Sequence, residues 1–260
     1  MSLFEELIED KELDDKIVKS FKSKDTLSNQ IFEGERGEFK MRDEIRKKLI
    51  EISDNFIDTL GVEFFIHDIV LTGSLANYNW SKFSDVDLHI LIDFDEIDGG
   101  GKKDSIALHS IIKEFFDAKK NVWNDTHNIV IKGYDVEIYV QDVNEEHISS
   151  GVYSILNGEW LVVPEKTEPN IDDRHILGKG VEYGNKIDKL INLNKKGVDV
   201  LNKIEELKKK IKKFRQSGLD SGGEYSYENL TFKLLRRNGY IGKLLQLKTD
   251  ITDKKLSITQ

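Results

Sequence analysis

The stretch Leu71–Ile90, LTGSLANYNWSKFSDVDLHI, decides the fold of this 260-residue chain. Its apolar lead-in runs into a small turn, Gly73-Ser74, and after a gap of ten residues the chain reads Asp85-Val86-Asp87. The lead-in predicts a buried strand, and the strict alternation after Asp85 predicts a second strand with one apolar face. The stretch therefore predicts two strands of a sheet, with a Gly-Ser turn and a pair of carboxylates between them.

The pair of carboxylates predicts a divalent-cation site. Asp85 and Asp87 are two residues apart on a strand, so both side chains point from the same face. Two carboxylates held in this way repel one another unless a positive charge lies between them. Because the ligands are all oxygen atoms, they suit a hard cation such as Mg²⁺ or Mn²⁺.

A third carboxylate comes from the later segment NIVIKGYDVEIYV, which reads as two strands joined by a tight hairpin at Lys132-Gly133. The second of these strands offers Glu137, and Asp135 on the same face is the alternative. Three carboxylates on two neighbouring strands can hold two cations about 3.5–4 Å apart, which stabilises the attacking and leaving oxygens in phosphoryl or nucleotidyl transfer. We assign Glu137 as the third acid.

The Gly-Ser turn is interpreted as a phosphate-binding element. Gly73 allows the backbone to approach a phosphate closely, and the turn N–H groups together with the Ser74 hydroxyl can donate to phosphate oxygens. Lys82, between the turn and the carboxylates, is a further candidate for nucleotide binding, although a surface lysine is the simpler interpretation. Tyr153 and Trp160 are candidates for stacking on a base, with core packing as the alternative.

Together these residues resemble the DNA polymerase β-like nucleotidyltransferase superfamily. Its pattern is an apolar residue, Gly, then Gly or Ser, a short gap, Asp-apolar-Asp/Glu-apolar, and a third acid on a later strand. Here the pattern reads Gly73-Ser74, Asp85-Val86-Asp87-Leu88 and Val136-Glu137-Ile138, with the polar Thr72 in the apolar slot. The resemblance spans about a quarter of the chain, from Leu71 to Tyr139.

The resemblance implies both a fold and an activity. The fold is mixed α/β (α+β), a small mixed sheet with helices on one side, followed by an α-helical domain that closes over the nucleotide. The activity is Mg²⁺- or Mn²⁺-dependent transfer of a nucleoside monophosphate from a nucleoside triphosphate, such as ATP, to an acceptor hydroxyl with release of pyrophosphate. In it Asp85 and Asp87 hold the ions, Glu137 completes the site, and Gly73 and Ser74 grip the triphosphate.

The rest of the chain predicts the domain organisation. Both prolines, Pro164 and Pro169, lie in one segment, so we expect a catalytic domain over residues 1–165 and a helical domain over residues 170–260. A capping-box pattern at Ser2 predicts a helix near the start of the chain. Three helical stripes are predicted. They are Ile45, Leu49, Ile52, Phe56 and Leu60 on a helix from Glu38 to Leu60; Leu201, Ile204, Leu207, Ile211 and Phe214; and Leu230, Leu234, Ile241, Leu244 and Leu245. The segment SGLDSGGEYS, residues 217–226, is predicted to separate the last two stripes.

Composition limits the partners. There are no cysteines, which excludes disulfides, thiolate metal sites and cysteine nucleophiles and fits a cytoplasmic protein. No apolar run approaches the ~20 residues of a membrane span, and no secretory signal is visible, so no membrane partner is expected. The formal net charge is −9, yet residues 186–260 carry 18 Lys and Arg against 9 Asp and Glu, so the basic residues concentrate at the rear.

The acceptor is left open by the sequence. The acidic front half favours a small molecule or a protein over a long nucleic acid, while the rear basic residues keep an RNA end as a candidate. We expect at least one Lys or Arg beyond Asn170 to contact the triphosphate. The competing interpretation is a non-catalytic nucleotide-binding or interaction protein on the same fold.

Overall fold

The computed structural model of the chain describes residues 3–97, 105–145 and 149–258. These residues form two compact units. One unit comprises Ser23–Glu168, and the other combines the N-terminal segment up to Lys22 with the segment from Pro169 onward. A mixed sheet and several helices are present, as predicted. Among the described helices, none has the length and apolarity that crossing a membrane requires.

The N-terminal helix belongs to the helical unit, whereas residues 1–165 were predicted to form one domain with the sheet. This helix, α1, spans Leu3–Lys19, and the capping residue predicted for it, Ser2, lies outside the described residues. Its apolar residue Ile17 is buried, and Asp14 Oδ1 accepts a hydrogen bond of 2.9 Å from Asn238 Nδ2. These contacts join residues more than 200 positions apart, which local sequence patterns do not reveal.

Among the described residues of the sheet unit, six hydrogen-bonded strands lie in the order β5-β6-β4-β3-β7-β8. Strands β4 and β6 run parallel, and the other neighbouring strands are antiparallel. The strands are β3 (Ile66–Thr72), β4 (Val86–Ile92), β5 (Val130–Ile131), β6 (Tyr134–Asp142), β7 (Val152–Ser154) and β8 (Glu159–Val162). A separate two-stranded ribbon pairs β1 (Phe32–Glu33) with β2 (Lys40–Met41).

Alternation along the strands places the core on one face of the sheet. The apolar residues of β4, Val86, Leu88, Ile90 and Ile92, are buried as predicted and belong to a single cluster. Helix α2 (Asp43–Asp58) contributes its apolar stripe to this cluster, and so does helix α4 (Ser105–Thr126) through Phe116 and Trp123. A short helix, α3 (Phe94–Ile97), lies between β4 and α4 in the chain. On the opposite face, β4 and β6 carry mostly polar side chains, while Leu91 of β4 packs with Val70 and Val152 in a smaller apolar cluster.

Helix α2 begins at Asp43, later than the predicted start at Glu38. The residues before it form β2, whose Met41 N–H donates to the Tyr153 hydroxyl at 3.2 Å, so this backbone pairs in an extended conformation. The predicted hairpin between β5 and β6 is confirmed. Lys132 and Gly133 have φ values of +51° and +87°, the left-handed pair that a tight two-residue turn requires.

In the part of the helical unit that the structure describes, α1 is joined by the α-helices α5 (Asp173–Lys195), α6 (Leu201–Gly222), α7 (Tyr227–Arg237) and α8 (Tyr240–Leu256). The predicted stripes lie in its core, except that Leu245 is 46 % exposed on α8. Helix α6 extends as far as Gly222, into the segment at residues 217–226 that is predicted to separate two helical stripes, and Gly218 within it lies against α7. A Cβ at Gly218 would lie 2.5 Å from the Glu228 Cβ.

Replacing Glu182 tests the electrostatics of this unit. Glu182 accepts hydrogen bonds from Lys179 and Lys186, which lower the pKa of its carboxyl from 4.5 to about 2. A pKa that is lower in the folded state stabilises the fold above the unfolded-state pKa, and this stabilisation is lost as the pH falls from about 4.5 toward 2. Since Glu182 is 43 % exposed, we expect Glu182→Gln to cost at most about 1 kcal/mol at neutral pH.

The measurement is urea unfolding of both proteins at neutral pH and near pH 3. The difference in unfolding free energy is expected to shrink at the lower pH. A difference that is the same at both pH values would show that the Glu182 carboxylate is not the source of the stabilisation.

Candidate functional site: three carboxylates at a strand end

Three predicted acids converge on the polar face of the sheet. Asp85, Asp87 and Glu137 each offer a carboxylate oxygen, and these oxygens lie within 4.8 Å of one another. All three residues are partly buried. Such a set of closely spaced oxygen ligands fits Mg²⁺ or Mn²⁺ in charge and in chemistry.

The strand register produces this convergence. Strands β4 and β6 are parallel neighbours, and their register pairs Asp87 with Glu137. Asp85 immediately precedes β4 and is two residues from Asp87, so alternation directs both side chains away from the core. Val86 lies between the two aspartates on β4, and it pairs with Val136, which precedes Glu137 on β6. Both valines pack toward the core cluster.

Gly73 touches the acid cluster directly. It has a φ of +71°, and a Cβ at this position would lie 1.9 Å from Asp87 Oδ2. A side chain is therefore excluded here both by backbone conformation and by space. Strand β3 ends opposite the acids, since Thr72 pairs with Asp87 across the antiparallel ladder.

The two groups predicted to bind phosphate have protein partners in this structure. The Gly73 N–H donates to Ser149 Oγ at 3.3 Å, and the Ser74 hydroxyl donates to Ser84 Oγ at 2.7 Å. Phosphate binding at the turn, which stays a prediction, would exchange these hydrogen bonds for bonds to phosphate oxygens. Lys82 is exposed, and its Nζ lies 4.9 Å from the centroid of the Phe83 ring.

Asp135, the alternative third acid, lies outside the cluster. It is exposed on β6 and pairs with Val130 of β5. A second group with metal-binding spacing lies at the opposite end of β3 and β4, where His67, Asp93 and Glu96 approach one another. His67 and Glu96 in that group are exposed, and their side chains pair with each other at 3.3 Å.

The structure adds residues that the sequence argument did not assign. Tyr139 donates a hydrogen bond to Glu137 Oε2, and its ring stacks on His89 with centroids 4.8 Å apart. His89 Nδ1 lies 2.8 Å from Gln141 Oε1, and Lys120 Nζ lies 4.6 Å from the centroid of the Tyr139 ring. The period of two along β6 places Tyr139 beside Glu137, which is the sequence signal that would have found it.

For the nucleotidyl transfer that the sequence predicts, Tyr139→Phe is expected to lower turnover about tenfold with little change in KM, because Glu137 would lose the hydroxyl that orients its carboxylate. Steady-state kinetics of the purified variant check this expectation. Tyr134→Phe is the control, since Tyr134 lies on the same strand but belongs to the core cluster. An unchanged turnover number in Tyr139→Phe would show that this hydrogen bond has no part in the chemistry.

The proposed base-stacking residues pack inside the sheet unit. Tyr153 is fully buried, and its hydroxyl donates to the Gly158 carbonyl at 2.8 Å. Burial raises the pKa of the Tyr153 hydroxyl above its usual value. Trp160 stacks on Phe32 with centroids 5.0 Å apart. Core packing therefore accounts for Tyr153, and Trp160 is held by contacts within the protein.

Comparisons with protein-family models, with curated proteins and with solved structures find no match for this chain.

Proposed function

We propose that this chain is a Mg²⁺-dependent nucleotidyltransferase of the polymerase β-like type. The observation that carries the proposal is the convergence of Asp85, Asp87 and Glu137, with carboxylate oxygens within 4.8 Å, beside a glycine whose backbone adjoins one of them. Carboxylates on two neighbouring strands beside a Gly-Ser turn suit a metal-bound triphosphate. Like charges this close repel one another, so a strand end without a bound cation gives no physical reason for bringing three carboxylates together.

In the proposed reaction the acceptor hydroxyl oxygen forms a bond to the α-phosphorus of a nucleoside triphosphate. The bond between that phosphorus and the oxygen leading to the β-phosphate breaks, and its electron pair leaves with pyrophosphate. Asp85 and Asp87 would hold the divalent cations, which supply charge stabilisation for the phosphoryl oxygens when bound. Glu137 completes the ligand set and accepts the proton of the acceptor hydroxyl.

The acceptor is proposed from charge alone. The acidic residues before Lys186 disfavour a long duplex, so a small molecule or a protein side chain is the preferred acceptor. An RNA end is the alternative that the basic residues of the helical unit support. The competing function is nucleotide binding without catalysis, and the three converging acids favour the enzyme over it.

The experiment that tests the proposal uses each of the four α-³²P-labelled nucleoside triphosphates in turn. The full-length protein is incubated with one nucleotide and Mg²⁺, with and without cell extract, and the labelled products are identified by mass analysis. Metal-dependent label on an acceptor, with release of pyrophosphate, is the expected result. Nucleotide binding without label transfer in any extract would favour the non-catalytic alternative.

Glu137→Gln is expected to remove transfer and to leave binding of the metal-bound nucleotide largely in place. The reason is that the amide cannot accept the acceptor's proton, while Asp85 and Asp87 still provide carboxylate ligands. Asp135→Asn is the matched control, because Asp135 lies on the same strand but outside the cluster. Transfer rates and nucleotide affinities are measured for both variants. A larger loss of transfer rate in Asp135→Asn than in Glu137→Gln would contradict the assignment of Glu137.

A further inference from the structure

We propose that a cavity in the sheet unit binds a small flat molecule carrying one anionic group. The cavity has a volume of about 340 Å³, within the range of small-molecule sites. None of the three acids or the Gly-Ser turn lines it, so this inference does not rest on the proposed transferase activity. The aromatic and charged residues of its lining are Arg36, Phe39, Tyr78, Trp160, Glu165 and Lys166.

Aromatic side chains give the cavity a flat, apolar wall. Trp160 is fixed on one side by stacking on Phe32, and its Nε1–H donates to the Phe39 carbonyl at 2.7 Å. Since stacking and this hydrogen bond already hold the indole, a ligand that packs on it costs little side-chain ordering. Rigid aromatic walls of this kind favour a ligand with a flat ring.

Tyr78 supplies a hydroxyl that has no hydrogen-bond partner among the described residues. It is 3 % exposed and lines the cavity, yet its hydroxyl forms no hydrogen bond with any residue that the structure describes. The hydroxyl oxygen is not one of the fully buried unpaired side-chain atoms of the described residues, so it is accessible to a small molecule. A ligand oxygen or nitrogen in the cavity would provide the hydrogen-bond partner.

The charges around the cavity select one anionic group. Within the described parts of the chain, the Arg36 guanidinium makes no ion pair or hydrogen bond, so it is available to a carboxylate or phosphate. Lys166 already forms ion pairs, with its Nζ 2.8 Å from Asp25 Oδ1 and 3.4 Å from Glu168 Oε1. Glu165 adds a negative charge to the lining, which disfavours a ligand with several charges such as a triphosphate.

The backbone of the loop that carries Arg36 is constrained by two glycines. Gly34 and Gly37 have φ values of +100° and +97°, and a Cβ at Gly34 would lie 2.8 Å from the Glu38 carbonyl oxygen. The loop connects β1 to β2, and Gly37 itself lines the cavity. The aromatic wall and the Arg36 guanidinium together fit a ligand with a flat ring and one anionic group, either a carboxylate or a phosphate monoester.

The test follows the indole N–H signals of the ¹⁵N-labelled full-length protein by NMR, with EDTA present to remove divalent cations. The chain has three tryptophans, and Trp160→Phe assigns the signal of Trp160. The probes are two matched pairs, AMP with adenosine and 2-naphthoate with 2-naphthamide. We expect a saturable shift of the Trp160 signal with an anionic probe and at least about tenfold weaker binding of its neutral partner.

Arg36→Gln is expected to weaken binding of the anionic probe about tenfold. Lys40→Gln is the matched control, because it removes a positive charge from the exposed ribbon without altering the cavity lining. Tyr78→Phe is expected to weaken binding about threefold through loss of one neutral hydrogen bond. Binding of AMP alone would identify a nucleoside phosphate, and binding of 2-naphthoate alone an aromatic carboxylate.

Three results would overturn the proposal. They are the absence of any saturable Trp160 shift with either anionic probe, equal affinity for the anionic and neutral members of each pair, and unchanged affinity in Arg36→Gln.

Discussion

Asp85→Asn is expected to abolish nucleotidyl transfer, with a rate at least about a thousandfold below that of the unmodified chain. Asp85 contributes one of the three carboxylates whose oxygens lie within 4.8 Å, so the change removes a cation ligand. Loss of metal-dependent charge stabilisation costs several kcal/mol in the transition state, and each 1.4 kcal/mol is about tenfold in rate. The assay is label transfer from the preferred nucleotide.

Although Asp85→Asn is expected to abolish activity, it is not expected to lower the stability of the fold. Without divalent cations, Asp85→Asn relieves repulsion among the three acids, so the unfolding free energy is expected to hold or rise. With Mg²⁺ present, the unmodified chain should gain stability that the variant does not gain, because the proposed cation site exists only in the folded state. Asp135→Asn serves as the control for removing an acid outside the cluster. Activity of Asp85→Asn within about tenfold of the unmodified chain would contradict the proposed cation site.

Gly73→Ala is expected to disrupt the acid cluster and the fold around it. The new Cβ would lie 1.9 Å from Asp87 Oδ2, so the carboxylate or the turn has to move. The φ of +71° adds the cost of a left-handed conformation for a residue with a side chain. We expect a loss of about 3 kcal/mol in unfolding free energy and a rate at least about a hundredfold lower.

Gly61→Ala is a closely matched control for this change. Gly61 has a φ of +69°, and a Cβ there would meet no atom within 4 Å, so alanine at this position adds backbone strain alone. Its expected cost is about 1 kcal/mol without loss of activity. Urea unfolding and label transfer compare the two variants. Equal effects of both on stability and activity would mean that contact with Asp87 is not what requires glycine at position 73.

Local patterns in the sequence predict the elements that build the site. The period of two identifies β4 and the face that carries Asp87, and the turn at Lys132-Gly133 fixes the start of β6. Once both strands are known, pairing Asp87 with Glu137 needs only the parallel register between them. The apolar stripe from Ile45 to Leu60 predicts α2 for the same reason, because its spacing depends on neighbouring residues alone.

Contacts between distant residues are what the sequence patterns missed. Ser149 accepts from the Gly73 N–H across 76 positions, and α1 packs in the helical unit with residues near the other end of the chain. Gly218 looked like part of a linker, although it allows α6 and α7 to approach closely. Glycine occurs both in flexible turns and where two helices pack closely, so the sequence alone does not distinguish these roles and the tertiary structure does.

The most direct test of the cation site is a titration with Mn²⁺ followed by electron paramagnetic resonance, in the presence of a non-hydrolysable nucleoside triphosphate analogue. The comparison is between the unmodified chain and Asp87→Asn, which leaves the separate group at His67, Asp93 and Glu96 in place. We predict about two bound Mn²⁺ ions per unmodified chain, displaced by Mg²⁺, and loss of this binding in the variant. Equal Mn²⁺ binding by both proteins, or none by the unmodified chain, would contradict the account.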